Sequence, residues 1–411
     1  MASSSKRKAV ADDVGSSTRK RKKGKTNELG LILNTSSDMS RYNNHLYRDI
    51  ALSRYPDEFT LLKLGIENNV MTLLHNIGWT QFIGTKYYTH KKVTIEFLST
   101  ITFIKDKDNP QVKFSFSNNE FNMSLTEFNT KMGFASEGLI HTSRNKDINP
   151  EDYDPHEFWS LITGRNHFES RSAKASMIHN PVFRYVHRVM ACTIFGRPKT
   201  GTVRSDELYL LWAMVNSRTV NTGWYLLNHL AFVGGQAKGT KMAVGGVIEF
   251  IKRKITGQVE VDEDDRYIDG NYFVDIDYLK NIHMIKEKEG YPDNFQLMIG
   301  NEPSIVLPDS SRTDTTKWDN WLYNDVVLQV PQQHHAQGEH EVHHPQDEAQ
   351  HEDMVHDDHD DQQPPGGMQD DGDWRVRMES KMDKFDSELL RQSQMMFAMM
   401  QHFNIQAPPS D

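Results

Sequence analysis

Apolar positions along this chain recur mostly at helical spacing, and most periodic stretches are bracketed by start and stop residues. Ser124-Leu-Thr-Glu127 has the form of a capping box, in which a hydroxyl and a carboxylate satisfy orphan amides reciprocally, and Gly133 follows Met132 as a stop. Asp154-Pro155-His156-Glu157 sets a cap, a proline at the first helical position and an acid in the first turn. The helix it opens carries Phe158, Trp159, Leu161 and Ile162 and ends at Gly164. Asn180-Pro181 repeats the device ahead of Val182, Tyr185, Val186, Val189, Met190 and Cys192, with Gly196 as the stop. Ser205 is expected to cap a helix containing Leu208, Leu211, Trp212 and Val215. Residues 222–233 and 242–255 predict two further helices around Gly234-Gly235, and one helix is expected near 57–77. Ile276–Ile285 and Thr316–Tyr323 predict short helices.

Strand signals are fewer. Val112-Lys-Phe-Ser-Phe116 alternates apolar and polar residues, Asn118-Asn119 supplies a turn, and Phe121-Asn-Met123 returns as the partner strand. Val93–Phe103 is rich in β-branched residues and fits either element. The pattern predicts a predominantly helical α+β fold: one large globular domain with a small β-hairpin and no repeat of fixed period.

Charge divides the 411 residues into blocks that the overall net charge of −10 conceals. Residues 1–25 hold nine Lys/Arg against Asp12 and Asp13, whereas 331–373 hold thirteen Asp/Glu and no Lys/Arg. Like charges that repel and stay hydrated cannot collapse into a core, so both segments are expected to be disordered. The expected organisation is a basic head over 1–40, the helical α+β domain over 41–330, an acidic His/Gln-rich linker over 331–373, a coiled-coil helix over 374–404 and a disordered tail over 405–411. No stretch approaches the ~18 consecutive apolar residues of a membrane span, and the polar N-terminus has no apolar core of a secretory signal, so no membrane partner is expected.

The head contains Lys6-Arg7-Lys8, ten intervening residues, and then Arg19-Lys20-Arg21-Lys22-Lys23. Two basic clusters at that separation fit a two-pocket acidic groove, so the expected partner is a nuclear import receptor and the expected location the nucleus; a tail that touches nucleic acid non-specifically is compatible with it. Within the domain, Arg184, Arg188, Arg197, Lys199, Arg204, Lys238, Lys241, Lys252, Arg253 and Lys254 stand among Tyr185, Tyr209, Trp212, Trp224 and Tyr225. Residues 181–256 carry eleven Lys/Arg and three acids, enough to neutralise phosphates of DNA or RNA. The plainer alternative makes the aromatics core and the charges solvated faces paired with the acidic 257–330 block.

Near the C-terminus, Met378, Met382, Phe385, Leu389, Gln392, Met396, Met399 and Phe403 alternate spacings of four and three. That is a heptad seam, interrupted only by Gln392, and an isolated helix of this kind needs a partner, so a homo-oligomer is expected.

Catalytic and cofactor patterns are missing. Gly234-Gly-Gln-Ala-Lys-Gly239-Thr240-Lys241 lacks the Gly-Lys-Ser/Thr order of a phosphate-binding loop. The lone Cys192 sits among Val189, Met190 and Ile194 as a buried thiol, and excludes an internal disulfide or a Cys-based zinc finger. Eight histidines between His334 and His359 could bind metal only weakly and adaptably in a disordered tract. Asp275-Ile-Asp277 could converge on a strand, but the segment reads better as a helix start. No enzyme, no cofactor and no resident metal are expected.

Asn180-Pro-Val-Phe-Arg-Tyr-Val-His-Arg-Val-Met-Ala191, Phe195-Gly-Arg197 and Glu207-Leu-Tyr-Leu-Leu-Trp-Ala-Met214 resemble the Athila-type plant long-terminal-repeat retrotransposon open-reading-frame-one family. Phe114-Ser-Phe-Ser-Asn118, Met123–Phe128 and Met132-Gly-Phe134 look like that family's hairpin and helix, and Val244-Gly-Gly-Val-Ile248 also fits; the resemblance spans roughly 45–300. It implies a plant mobile-element origin and a non-enzymatic partner- or nucleic-acid-binding role, with Gag-like packaging as the alternative and a degenerate transposase or nuclease as a more remote one. The chain departs from an ordinary Gag in having no Cys/His knuckle.

Overall fold

The computed structural model describes residues 27–323 except 107, 141–149, 151, 237–240 and 258–266. The basic head through residue 26, the acidic His-rich linker, the heptad helix and the tail all lie outside the described residues. What is described is an α+β fold of many helices and three small sheets.

Capping fixes most of the boundaries. Asp154 accepts from the amides of His156 (2.7 Å) and Glu157 (3.0 Å) to open α7 (Pro155–Thr163), and Gly164 closes it in the left-handed region at φ +70°. Asn180 does the same for α8 (Pro181–Thr193). Ser124 caps α6 (Leu125–Met132) at 3.1 Å, but the Glu127 carboxylate turns to Lys131 and does not complete the box. At α9 (Ser205–Val215) the cap is one residue earlier than Ser205: the amide of Arg204 donates to Glu207 Oε2 at 2.9 Å. The expected helix near 57–77 is two, α2 (Glu58–Leu64) and α3 (Glu67–Asn76), because Gly65 takes φ +65° between them.

The folded region begins before residue 41. Thr35 and Asp38 form a reciprocal capping box for α1 (Ser36–His45), and Leu31, Leu33 and Tyr42 bury against Ile95. The ambiguous 93–103 stretch resolves into α5 (Lys91–Thr100) followed by β2 (Thr102–Ile104). β2, β3 (Gln111–Phe116) and β4 (Asn119–Ser124) make an antiparallel sheet whose second pair is the expected hairpin. A second antiparallel sheet over β6 (Ile285–Lys288), β7 (Tyr291–Ile299) and β8 (Glu302–Leu307) was not anticipated by the pattern. The predicted helix at 276–285 therefore shrinks to α12 (Ile276–Asn281), and that at 316–323 to a 3₁₀ turn over Trp318–Asn320. The smallest sheet pairs β1 (Tyr55–Pro56) with β5 (Phe273–Val274) in parallel.

Every residue of α8 is buried, so this helix runs through the centre of the core. α9, α10 (Thr222–Gly235) and α11 (Gly245–Thr256) contribute to the same apolar cluster. The loop between α8 and α9 and residues 241–244 ahead of α11 meet on one side of it.

Candidate functional site

The basic residues of the block that are described separate into buried or paired ones and exposed ones. Arg184 and Arg188 lie on α8 and are buried, and Arg184 Nη1 donates to the carbonyl of Met298. Burial, followed by the charge of Arg188, lowers the Arg184 guanidinium to about 9. Lys252 is buried 3.9 Å from Glu249, and Arg253 Nε donates to the same carboxylate at 2.9 Å. Arg197 is also buried and bonded to Glu207. Lys254 is exposed, with its ammonium 5.9 Å from the centre of the Phe250 ring. Lys199, Arg204 and Lys241 are exposed too, and Lys238 lies outside the described residues. Of the interleaved aromatics, Tyr185, Tyr209, Trp212 and Tyr225 are core, while Trp224 is half-buried with its ring 5.4 Å from Phe103. The carboxylates that hold Arg197, Lys252 and Arg253 come from inside the basic block itself, not from residues 257–330.

Lys199, Arg204 and Lys241 line one pocket of about 260 Å³, together with Arg48, Arg197, His229, Phe195 and Phe232. Among the described residues its lining holds five Lys/Arg side chains and no carboxylate. Four chain segments build it: Arg48 in the turn after α1, the loop between α8 and α9, the last turns of α10, and residues 241–244. Close packing holds them together. Gly196 at φ +44° lets its loop approach residues 243–244, where an added Cβ would stand 2.7 Å from the Ala243 carbonyl oxygen and 2.5 Å from Val244. Met242 is pinned to the opposite side through its amide to Asp49 O (2.9 Å) and its carbonyl from the Ala51 amide (3.0 Å).

Two of the five basic groups, Arg197 and Arg48, are anchored by side-chain hydrogen bonds. Arg197 donates to Glu207 Oε2 at 2.6 Å, to the Thr202 carbonyl at 3.0 Å and to Thr202 Oγ1 at 3.0 Å. Glu207 accepts a further hydrogen bond from His187 Nε2 at 3.0 Å. Burial alone would raise the Glu207 carboxyl, but the hydrogen bond from His187 and the hydrogen bond and charge of Arg197 outweigh it and lower it to about 2. Arg48 donates to His45 Nδ1 at 3.2 Å, and His45 Nε2 donates to the Gly234 carbonyl at 3.1 Å, which sets a neutral tautomer. Burial lowers both His45 and His229 to about 4, so neither carries charge near neutrality. Lys199 and Lys241 form no salt bridge among the described residues. A cationic concavity with low-dielectric walls concentrates anions.

Arg48, His229 and Phe232 belong to this pocket and carried no signal in the sequence; Arg48 lies far away along the chain, and His229 and Phe232 sit in an apolar helix. Cys192 is buried, its thiol raised by desolvation, with Sγ 3.4 Å from Tyr278 Oη. Asp275 caps α12 and accepts from the Tyr278 amide at 2.7 Å, whereas Asp277 pairs with Lys280. No group of three or more His, Cys, Asp or Glu side chains that could hold a metal ion occurs among the described residues. Nor is any helix among them long and apolar enough to cross a membrane.

The family model described as the ATHILA ORF-1 family matches residues 14–370. No curated protein and no solved structure matches the chain.

Proposed function

The chain belongs to the ATHILA ORF-1 family, a retrotransposon family, and from that membership we propose that it is a nuclear nucleic-acid-binding protein, not an enzyme, that multimerises through its C-terminal helix. One observation carries the binding role: Lys199, Arg204 and Lys241, three of the exposed cations in the basic block, converge with Arg48 and Arg197 on one pocket that no carboxylate lines among the described residues. Such a site neutralises phosphate without reading sequence, so affinity comes from counterion release and depends steeply on salt. The basic head supports the nuclear location and the heptad seam supports multimerisation, both on sequence grounds alone.

The test is a salt-titrated binding assay with the full chain, in which the head residues Lys6, Arg7, Lys8, Arg19, Lys20, Arg21, Lys22 and Lys23 are changed to glutamine so that the domain supplies the phosphate contacts. Binding to DNA or RNA with a steep inverse salt dependence is expected. Lys199→Glu with Lys241→Glu should weaken it on every sequence and flatten the slope by about one unit per lost phosphate contact. An unchanged slope would remove the pocket from the binding surface.

A further inference from the structure

The pocket has a rim that its charge does not explain. Phe232 is 60% exposed, a large apolar ring left in solvent although it lines a pocket with five cationic groups. It is held on α10 one turn after His229, whose ring centre is 6.5 Å from its own. His229 in turn packs edge-on against the buried Phe195 at 5.6 Å. The aromatic face is therefore backed by a fixed ring pair and borders the phosphate-attracting side chains. Duplex nucleic acid keeps its base faces stacked inside the helix and presents backbone and groove edges, not faces, to an aromatic ring. A single strand offers a phosphate and an unstacked base a few ångströms apart, and a base stacks on an aromatic side chain whatever its identity.

We propose that the pocket binds single-stranded nucleic acid, with one phosphodiester held among Lys199, Arg204 and Lys241 and a neighbouring base stacked on Phe232. This rests on the nucleic-acid-binding reading above and narrows it to a strand state. His229 takes no charge near neutrality, so the phosphate is met by the lysines and arginines, and the ring pair supplies only the platform.

The experiment uses the same full chain with the glutamine-substituted head. Fluorescently labelled oligouridine, oligothymidine and a duplex of equal length are titrated against it, and against Phe232→Ala and Phe232→Trp. The expected result is tighter binding of both single strands than of the duplex. Phe232→Ala should lose roughly 5- to 150-fold on the single strands, the span of one base stack. It should leave the duplex affinity and the salt slope unchanged, and Phe232→Trp should restore the single-strand affinity. Comparison of the two single strands separates RNA from DNA preference. Photocrosslinking with 5-iodouridine should mark Phe232 and its immediate neighbours. Equal binding of duplex and single strand, or an alanine variant that binds single strands normally, overturns this inference while leaving nucleic-acid binding standing. Failure to bind any nucleic acid overturns both.

Discussion

Arg197 donates to Glu207 at 2.6 Å, and this buried pair ties the floor of the cationic pocket to the first turn of α9. Glu207 is completely buried and also accepts from His187 and from the Arg204 amide, so one carboxylate orients three groups. Glu207→Gln would keep the shape but leave a guanidinium that is 7% exposed without its counter-charge. Breaking a buried pair from one side costs about 3–5 kcal/mol. Urea denaturation should show a loss in that range for the variant. A loss below ~1 kcal/mol, the worth of a surface pair, would mean that the carboxylate does not hold this corner together.

Gly196 sits on the pocket wall in the left-handed region, and its Cα faces the backbone of Ala243. Alanine there meets both a strained φ and a carbonyl oxygen at 2.7 Å, so loop and wall must separate. Gly196→Ala should cost about 1–3 kcal/mol by chemical denaturation. It should also weaken nucleic-acid binding while leaving all the charges in place. Unchanged affinity in a destabilised variant would dissociate the pocket's shape from its function.

The local elements were largely legible because their instructions are local. Asp154, Asn180 and Ser124 announce their helices by capping chemistry, and the Phe114–Phe121 hairpin alternates over adjacent strands. Arg184 and Arg188 were misleading for the opposite reason. Basic residues suggest a solvated face, and only the packing of α8 on all sides shows that they are interior. The pocket was invisible because its lining runs from Arg48 to Val244, and no periodicity links chain segments that far apart. The sheet over 285–307 was hidden too: Phe295, Leu297, Ile305 and Leu307 alternate, but acids and turn residues interrupt the run.

Acid should destabilise the domain in a window set by its buried histidines. Folding holds His45 and His229 at about 4, below the ordinary value of 6.5. As pH falls from 6.5, the unfolded chain takes up protons that the folded chain refuses until about 4, so stability declines by up to ~1.4 kcal/mol per pH unit for each group. His179 and His187, also lowered by burial, act in the same direction. Asp206 opposes them: burial and the Glu207 charge raise it to about 6, so the folded state retains a proton that the unfolded state has lost above 3.8. Urea midpoints should therefore fall from pH 6.5 towards 4.5. His45→Gln should make the decline shallower and Asp206→Asn should make it steeper; the reverse order would contradict the assignment.

Removing residues 1–25 deletes both basic clusters and leaves the described fold, which starts with Asn27, untouched. A fluorescent fusion of the shortened chain should shift from the nucleus to the cytoplasm. Glutamine at Lys6, Arg7 and Lys8 alone should give a partial shift, because each cluster occupies its own acidic pocket on the receptor. Nuclear enrichment that survives the deletion would place the import signal elsewhere.

The heptad seam makes the last prediction, from sequence alone. Leu389 and Met396 occupy seam positions seven residues apart, flanking Gln392. Apolar residues at this spacing bury one another only when a second helix supplies the facing holes, and methionine lets the seam adapt to more than one partner. Leu389→Asp with Met396→Asp places two carboxylates at apolar seam positions, where burying a charge is costly. Light scattering should report an oligomer for the native chain and the 47.5 kDa monomer for the double variant. Single-strand affinity measured per protomer should stay the same, since the pocket lies far from the seam along the chain. A mass that does not change would assign the seam to contact with the chain's own domain or with another protein.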